Sequence, residues 1–298
     1  MNIVWTIILD GLIYASWLFI VALGLTLVFG VLRILNFAHG GLYALGAYAA
    51  AVAVSFFSGL GLGGWFSLVA MFIAALAVAV VVAPVVERGL LRLFYGKDEV
   101  LVLLVTYAVF LMLEDLTKMV FGVQPYYVFE PRNLLGNVEI GSLFYVGYDL
   151  ALIGLAVVCG LGVWLGLMRT RIGKITVAVI REPEISAAMG VNIARVYLGA
   201  FGVGVFLAAL GGAFTSPLIS VQPGVSVSVI IVSFAVVIIG GLGSIPGAAI
   251  GALVVGLARS VAVYQFPAGE IFIIYLVMVA VLIFRPEGLF TPVQARKI

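Results

Sequence analysis

Long apolar runs follow one another along this chain, separated by short polar breaks. They lie near residues 7–32, 38–56, 65–86, 100–122, 148–168, 196–216, 226–242, 246–264 and 268–284. A run of about 17–25 apolar residues is what a helix needs to cross a bilayer. The pattern therefore predicts nine spans and an all-α, polytopic helical membrane protein. Several runs are short, so tilted or re-entrant segments and a count of eight or ten stay open. No soluble domain, low-complexity tract or internal repeat interrupts the series, and residues 1–298 read as a single transmembrane domain.

The breaks carry the information. Asn36 to Tyr48 is polar and glycine-rich and holds His39, the one histidine of the chain. Unpaired polar groups in hydrocarbon cost several kcal/mol, so its polar atoms are expected to face protein or a transport path at the inner end of the first span. Asn36, His39 and Tyr43, with Ser233 further on, are the candidate path residues. Gly240 to Gly247 contains Pro246 and cannot be ordinary helix interior. It is either a tight turn, the favoured reading, or an unwound stretch lining a cavity. Gly243, Gly247 and Gly251 recur at four-residue spacing, as do Gly204, Ala208 and Gly212. That spacing places small residues on one helix face, where backbones approach closely.

Composition excludes a water-soluble reading. Apolar residues make up 65% and charged residues 9%, against roughly 25% charged in soluble domains. The net charge of +2 matters less than its distribution. Twelve of the fifteen basic residues fall on one side of the nine-span scheme, namely Arg33, Arg88, Arg92, Lys97, Arg169, Arg171, Lys174, Arg181, Arg195, Arg285, Arg296 and Lys297. This asymmetry marks a cytoplasmic face, with the N-terminus outside and the C-terminus inside. Arg132 stands in a loop on the other side. Glu114, Asp115 and Lys118 form a charge cluster within a span, where Glu114 and Lys118 are spaced for an ion pair on one helical face. Arg259 also lies in a span, and its partner cannot be named from the sequence.

Catalytic chemistry is missing from the pattern. One histidine and one cysteine, Cys159, leave no metal-ligand set, disulfide or catalytic triad to assemble. Gly59, Gly61 and Gly64 match a dinucleotide-binding spacing, but no strand precedes them and no acidic residue follows at the required distance. No phosphate loop is present. A transporter is expected rather than an enzyme, with no bound cofactor or metal; nothing points to nucleic acid.

Two loops are long enough to act. Residues 123–147, on the outer side, carry Tyr126, Tyr127 and Phe129. Residues 169–195, on the inner side, carry five basic residues. Within the second, Pro183 suits the first turn of a helix, Glu182 and Glu184 suit its positive end, and Gly190 suits the residue past its end. A two-turn helix is predicted, with Ile185, Ala188 and Met189 as an apolar patch. So short a helix gains stability by packing on something. It is either a membrane-surface helix held near anionic lipid or a lever that inserts into a cytoplasmic partner.

Asn36 to Gly40 after the first span, Glu184 to Gly190, Gly240 to Gly247 and the terminal Phe284 to Phe290 occur in an order that resembles the branched-chain amino acid ABC permease family, the LivH-type subunit in particular. The likeness runs nearly end to end. It implies the membrane subunit of a bacterial inner-membrane importer. The partners implied are a second, LivM-type permease subunit, two cytoplasmic ATPases that use ATP and Mg, and an external substrate-binding protein. Glu182, Pro183, Glu184, Ala187, Ala188, Met189 and Gly190 would then be the segment received by an ATPase, and residues 123–147 would help dock the binding protein. Many members carry an acidic residue directly after the His-Gly pair; here it is Gly41. The substrate implied is a branched-chain or related amino acid, with urea, short amides or another small solute as alternatives. A passive channel or secondary transporter is the alternative of another class, and the nearly charge-free spans argue against ion coupling.

Overall fold

A computed structural model of the chain describes residues 2–141 and 143–290. Its helices are α1 Asn2–Leu32, α2 Ala38–Gly59, α3 Trp65–Gly89, α4 Glu99–Phe121, α5 Glu130–Asn133, α6 Gly147–Arg169, α7 Arg171–Arg181, α8 Pro183–Ala188, α9 Ile193–Thr215, α10 Val225–Gly240, α11 Ile245–Gln265 and α12 Glu270–Phe284. Each predicted span coincides with a helix. Seven are long and apolar enough to cross a membrane, whereas α10, with 16 residues, and α12, with 15, are shorter. Among the described residues the bundle is all-α apart from one hairpin, β1 Asn137–Ile140 paired antiparallel with β2 Leu143–Val146. That hairpin and the single turn α5 lie in the 123–147 loop, which the apolar pattern left without structure.

Local sequence explains where the helices begin. Asp98 accepts from the backbone N–H of Val100 and Leu101 at the start of α4, Thr170 from Gly173 at α7, Asn192 from Arg195 at α9, and Ser244 from Gly247 at α11. Each satisfies a donor that has no partner within its helix.

Helices α1, α2 and α9 form the centre. A Cβ on Gly46 of α2 would run into the Ala209 backbone, one on Gly212 of α9 into Tyr43, and one on Gly204 of α9 into Val28 of α1. The predicted small-residue face of α9 is thus wedged between two helices. The α11 face holds for Gly247 and Gly251, which meet the α10 backbone at Gly240 and Val236. Gly243 is a correction: it lies in the turn before α11, with φ +80°, against Gly30. Gly241, with φ +102°, turns the chain there, so Gly240 to Gly247 is the tight turn and α11 start of the favoured reading. The C-terminal segment closes over it, as Leu289 and Phe290 N–H donate to Ile239 and Gly240 carbonyls.

One end of the bundle gathers Arg33, the 90–98 connection, α7 with α8, and the 241–244 turn. The ring contact of Tyr95 with Tyr197 (5.1 Å) and the packing of Gly30 on Gly243 join these parts. This is the basic end; Arg296 and Lys297 lie outside the described residues. At the opposite end Tyr126 and Val221 exchange backbone hydrogen bonds (2.9 and 3.0 Å), tying the 123–147 loop to the α9–α10 connection.

Candidate functional site

The connection from α1 to α2 does not stay at the end of the bundle. Arg33 is exposed and adopts φ +54°, a conformation uncommon for a residue with a side chain. The chain then turns back inward. Thr106 of α4 donates its hydroxyl to the Leu35 carbonyl (3.0 Å) and accepts from Phe37 N–H (3.3 Å). The Phe37 ring sits against Phe234 and Tyr107. His39 reaches the carbonyl of Val21 through Nε2 (2.9 Å). Val21 lies eleven residues before the end of α1, about 16 Å along the axis at about 1.5 Å per residue. Residues 33–37 therefore re-enter the bundle and α2 starts well inside it. This corrects the expectation that the motif sits at the mouth beside Arg33. Non-helical backbone at such depth persists only where protein satisfies it, and Thr106 does so from seventy residues away.

Asn36, His39, Tyr43 and Ser233 are all buried, at 1%, 0%, 0% and 0% exposure. Tyr43 shares a hydrogen bond with Thr215 of α9. Both amide atoms of Asn36, Nδ1 of His39 and Oγ of Ser233 lack a protein partner among the described residues. These side chains occupy the interior of the subunit rather than an open surface. Gly24 and Gly40 make the fit possible: a Cβ on Gly24 would meet the His39 ring at 2.9 Å, and one on Gly40 would meet Ile230 at 2.7 Å. At Gly41 a Cβ would meet Leu113 of α4 at 2.9 Å. Close packing of α2 on α4 leaves no room for a side chain at this position.

The charged residues of the spans pair differently from the spacing. Lys118 bonds Asp115 (3.1 Å), not Glu114. Glu114 crosses to α10, where it accepts from Gly224 N–H (2.8 Å) and from the Ser226 hydroxyl. A carboxylate at the start of α10 meets the positive end of that helix. Arg132 pairs with Asp149 (2.8 Å), and Arg259 pairs with Glu270 while lying over the Tyr14 ring, 4.1 Å from its centroid. In the 123–147 loop, Glu130 accepts from the Ser58 hydroxyl and from Gly64 N–H (2.9 Å). Those donors hold its carboxyl below the usual carboxylate range. Burial and the nearby Asp10 charge push the Tyr145 phenol up to about 12.

The 169–195 loop holds more helix than the two turns expected. Thr170 caps α7, and Gly173 packs on the backbone of Gly166 and Leu167, so α7 folds sharply back against α6. Its period was concealed by the high density of basic residues. Helix α8 follows as expected. Pro183 is in its first turn, Glu182 is its N-cap, and Gly190 lies past its end with φ +85°. Ser186 points inward. Ile185, Ala187, Ala188 and Met189 are exposed, Ile185 at 61% and Met189 at 81%. Ile185 on this six-residue helix and Met189 just past its end form an exposed apolar surface among the described residues.

Among the described residues no three His, Cys, Asp or Glu side chains converge as a metal site would require. Seven membrane-length helices, a buried re-entrant connection and an apolar knob at the basic end define a multi-pass membrane protein with the parts of a transport subunit. The chain belongs to the family described as branched-chain amino acid transport system / permease component, which matches residues 7–283. It is thus a permease component, not an enzyme, and works with other transport subunits. It is 25% identical to the high-affinity branched-chain amino acid transport system permease protein BraD of Pseudomonas aeruginosa, over 98% of this chain and 97% of that one. It is 23% identical to the corresponding LivH of Escherichia coli K12, over 97% and 96%, and 26% identical to a probable LivH of Methanocaldococcus jannaschii, over 95% and 91%. No solved structure matches the chain.

Proposed function

We propose that this chain is the LivH-type membrane subunit of an ATP-driven importer for branched-chain or related amino acids, set in a bacterial inner membrane. The observation that carries the proposal is α8: a short helix opened by proline, with exposed apolar side chains, at the basic end of a member of this permease family. On this reading the basic end is cytoplasmic, with the N-terminus outside and the C-terminus inside. Residues 182–190 insert into one of two ATPase subunits, which bind ATP and Mg. A LivM-type paralogue completes the pore, and an external binding protein docks near the 123–147 loop. His39 and Tyr43 hold α2 against α1 and α9 through Val21 and Thr215. Asn36 and Ser233, whose polar side-chain atoms have no protein partner among the described residues, are the residues of this set free to meet a solute or water. Gly41 favours a second reading within the same family, with urea, a short amide or another small solute as cargo.

The test is co-purification of the complex followed by uptake of leucine, isoleucine and valine into proteoliposomes, for wild type and Ala188→Glu. The substitution is expected to leave ATP hydrolysis running while uptake is lost. Uptake at the wild-type rate would exclude the docking role. Uptake of urea or an amide in place of the amino acids would select the second reading.

A further inference from the structure

At the end of the bundle opposite the basic loops, three charged side chains lie where α1, α11 and α12 meet. Arg259 is the one charged residue of α11, six residues before its end, and it pairs with Glu270, the first residue of α12. Both side chains are about a third exposed, at 30% and 34%. The guanidinium also lies on the Tyr14 face of α1. One turn earlier on the same face of α1 is Asp10, which accepts a hydrogen bond from the Tyr264 hydroxyl of α11. Asp10 has no cation beside it among the described ion pairs, so this rim holds two carboxylates for one guanidinium.

The same α1 face continues inward. Tyr14 meets Trp17 edge-on at 5.0 Å, and Trp17 meets Tyr43 at 6.4 Å. Beside the ion pair, α11 and α12 leave a cavity of about 300 Å³ lined by Ala262, Phe266, Phe272 and Ile273, among others. Ala262 follows Arg259, and Ile273 follows Glu270, by three residues, about one helical turn, so the cavity borders the pair; Val261, Gln265 and Phe272 share its wall.

Ionisable residues within spans are costly and are retained where they serve a path or a ligand. A structural pair needs one acid and one base; it does not need the extra carboxylate, the ring stack or the apolar cavity. A guanidinium binds a carboxylate group. A carboxylate beside aromatic faces suits an ammonium group. A cavity with apolar walls suits an aliphatic side chain. These three chemistries coincide in one kind of molecule.

We propose that the rim formed by Asp10, Tyr14, Arg259 and Glu270 is a capture site for an apolar α-amino acid zwitterion, ahead of its passage along the α1 face. The amino acid's carboxylate displaces Glu270 from Arg259, its ammonium group sits between Asp10 and the freed Glu270, and its side chain enters the α11–α12 cavity. The assignment rests on the importer reading above and specifies where in this subunit the cargo is first held.

The experiment measures radiolabelled leucine uptake by the reconstituted complex with its binding protein, alongside the yield of assembled complex. Arg259→Met and Asp10→Asn are each expected to lower uptake at least about tenfold, the size of one lost charge-assisted hydrogen bond. The exchange Arg259→Glu with Glu270→Arg restores an ion pair and therefore the yield, but not uptake. If the exchange returns uptake to the wild-type level, the pair is structural and the proposal is wrong. If Asp10→Asn stays within twofold, the proposal is equally wrong, and that variant decides the matter should the others fail to assemble. A wild-type complex that takes up no amino acid would instead defeat the importer reading and this one together.

Discussion

The helix α8 and the connection 33–37 are both breaks in the apolar pattern, and they are built in opposite ways. Helix α8 is held by its own neighbours in sequence. Pro183 opens it, Ser186 N–H bonds the Glu182 carbonyl (3.0 Å), Val191 N–H bonds the Ser186 carbonyl (3.0 Å), and Gly190 follows its end with φ +85°. Its apolar side chains point away from the rest of the chain. The connection is held by residues far off in sequence, with Thr106, Phe234 and Tyr107 supplying its contacts. It exposes Arg33 and buries the residues beyond it. One break presents a surface to a partner; the other fixes the interior from which the spans are hung. Changes in α8 should therefore alter coupling without altering folding, and changes around the connection should do the reverse.

The largest effect is expected where the interior is tightest. Gly46→Leu forces a side chain into the Ala209 backbone, where α2 and α9 touch. Overpacking costs about 1–3 kcal/mol and more where backbone faces backbone, so the complex should fail to assemble, measured as the yield of monodisperse complex after purification. Ala188→Glu comes next and sharpens the contrast: normal yield, ATP hydrolysis retained, uptake lost. Loss of yield in that variant would show that α8 serves folding after all.

Thr106→Val tests the connection directly. It leaves Phe37 N–H and the Leu35 carbonyl without their partner, a cost of about 1–3 kcal/mol for a buried polar group. A lowered unfolding temperature with uptake per assembled complex preserved is the expected outcome. His39→Gln should be milder, because an amide can still donate to Val21. Complete loss of uptake with normal assembly would assign His39 to the path itself.

The smallest effect concerns pH. The Ser58 and Gly64 donors hold the Glu130 carboxyl below its ordinary range. A depressed carboxylate stabilises its loop above the ordinary pKa and loses that contribution as pH falls through the depressed value. Amide exchange at Gly64 should therefore rise only in acid, and Glu130→Gln should abolish that dependence.

The sites differed in how far sequence could reveal them. Pro183, Glu182 and Gly190 announced α8 because capping is local chemistry. Glu114 misled, since helical spacing offered Lys118 while its acceptors' true donors, Gly224 and Ser226, lie over a hundred residues away. The partner of Arg259 was hidden for a related reason: Glu270 and Tyr14 lie on two other helices. Helix α7 escaped because its exposed positions mix isoleucine with arginine and lysine, and a run-based reading takes that mixture for loop. The β1–β2 hairpin escaped because its strands are four residues each.

By itself the sequence determined the membrane class, the helical spans and the asymmetry of charge between the two ends. Those follow from transfer of apolar residues into hydrocarbon and from backbone groups that must bond within each span, which are properties of each segment alone. Tertiary structure alone decided how deep His39 sits, which donors Glu114 meets and why Gly41 has no room for a side chain. Each depends on which helices lie side by side, and that is set by close packing between distant glycines and alanines whose spacing marks a face without naming its partner.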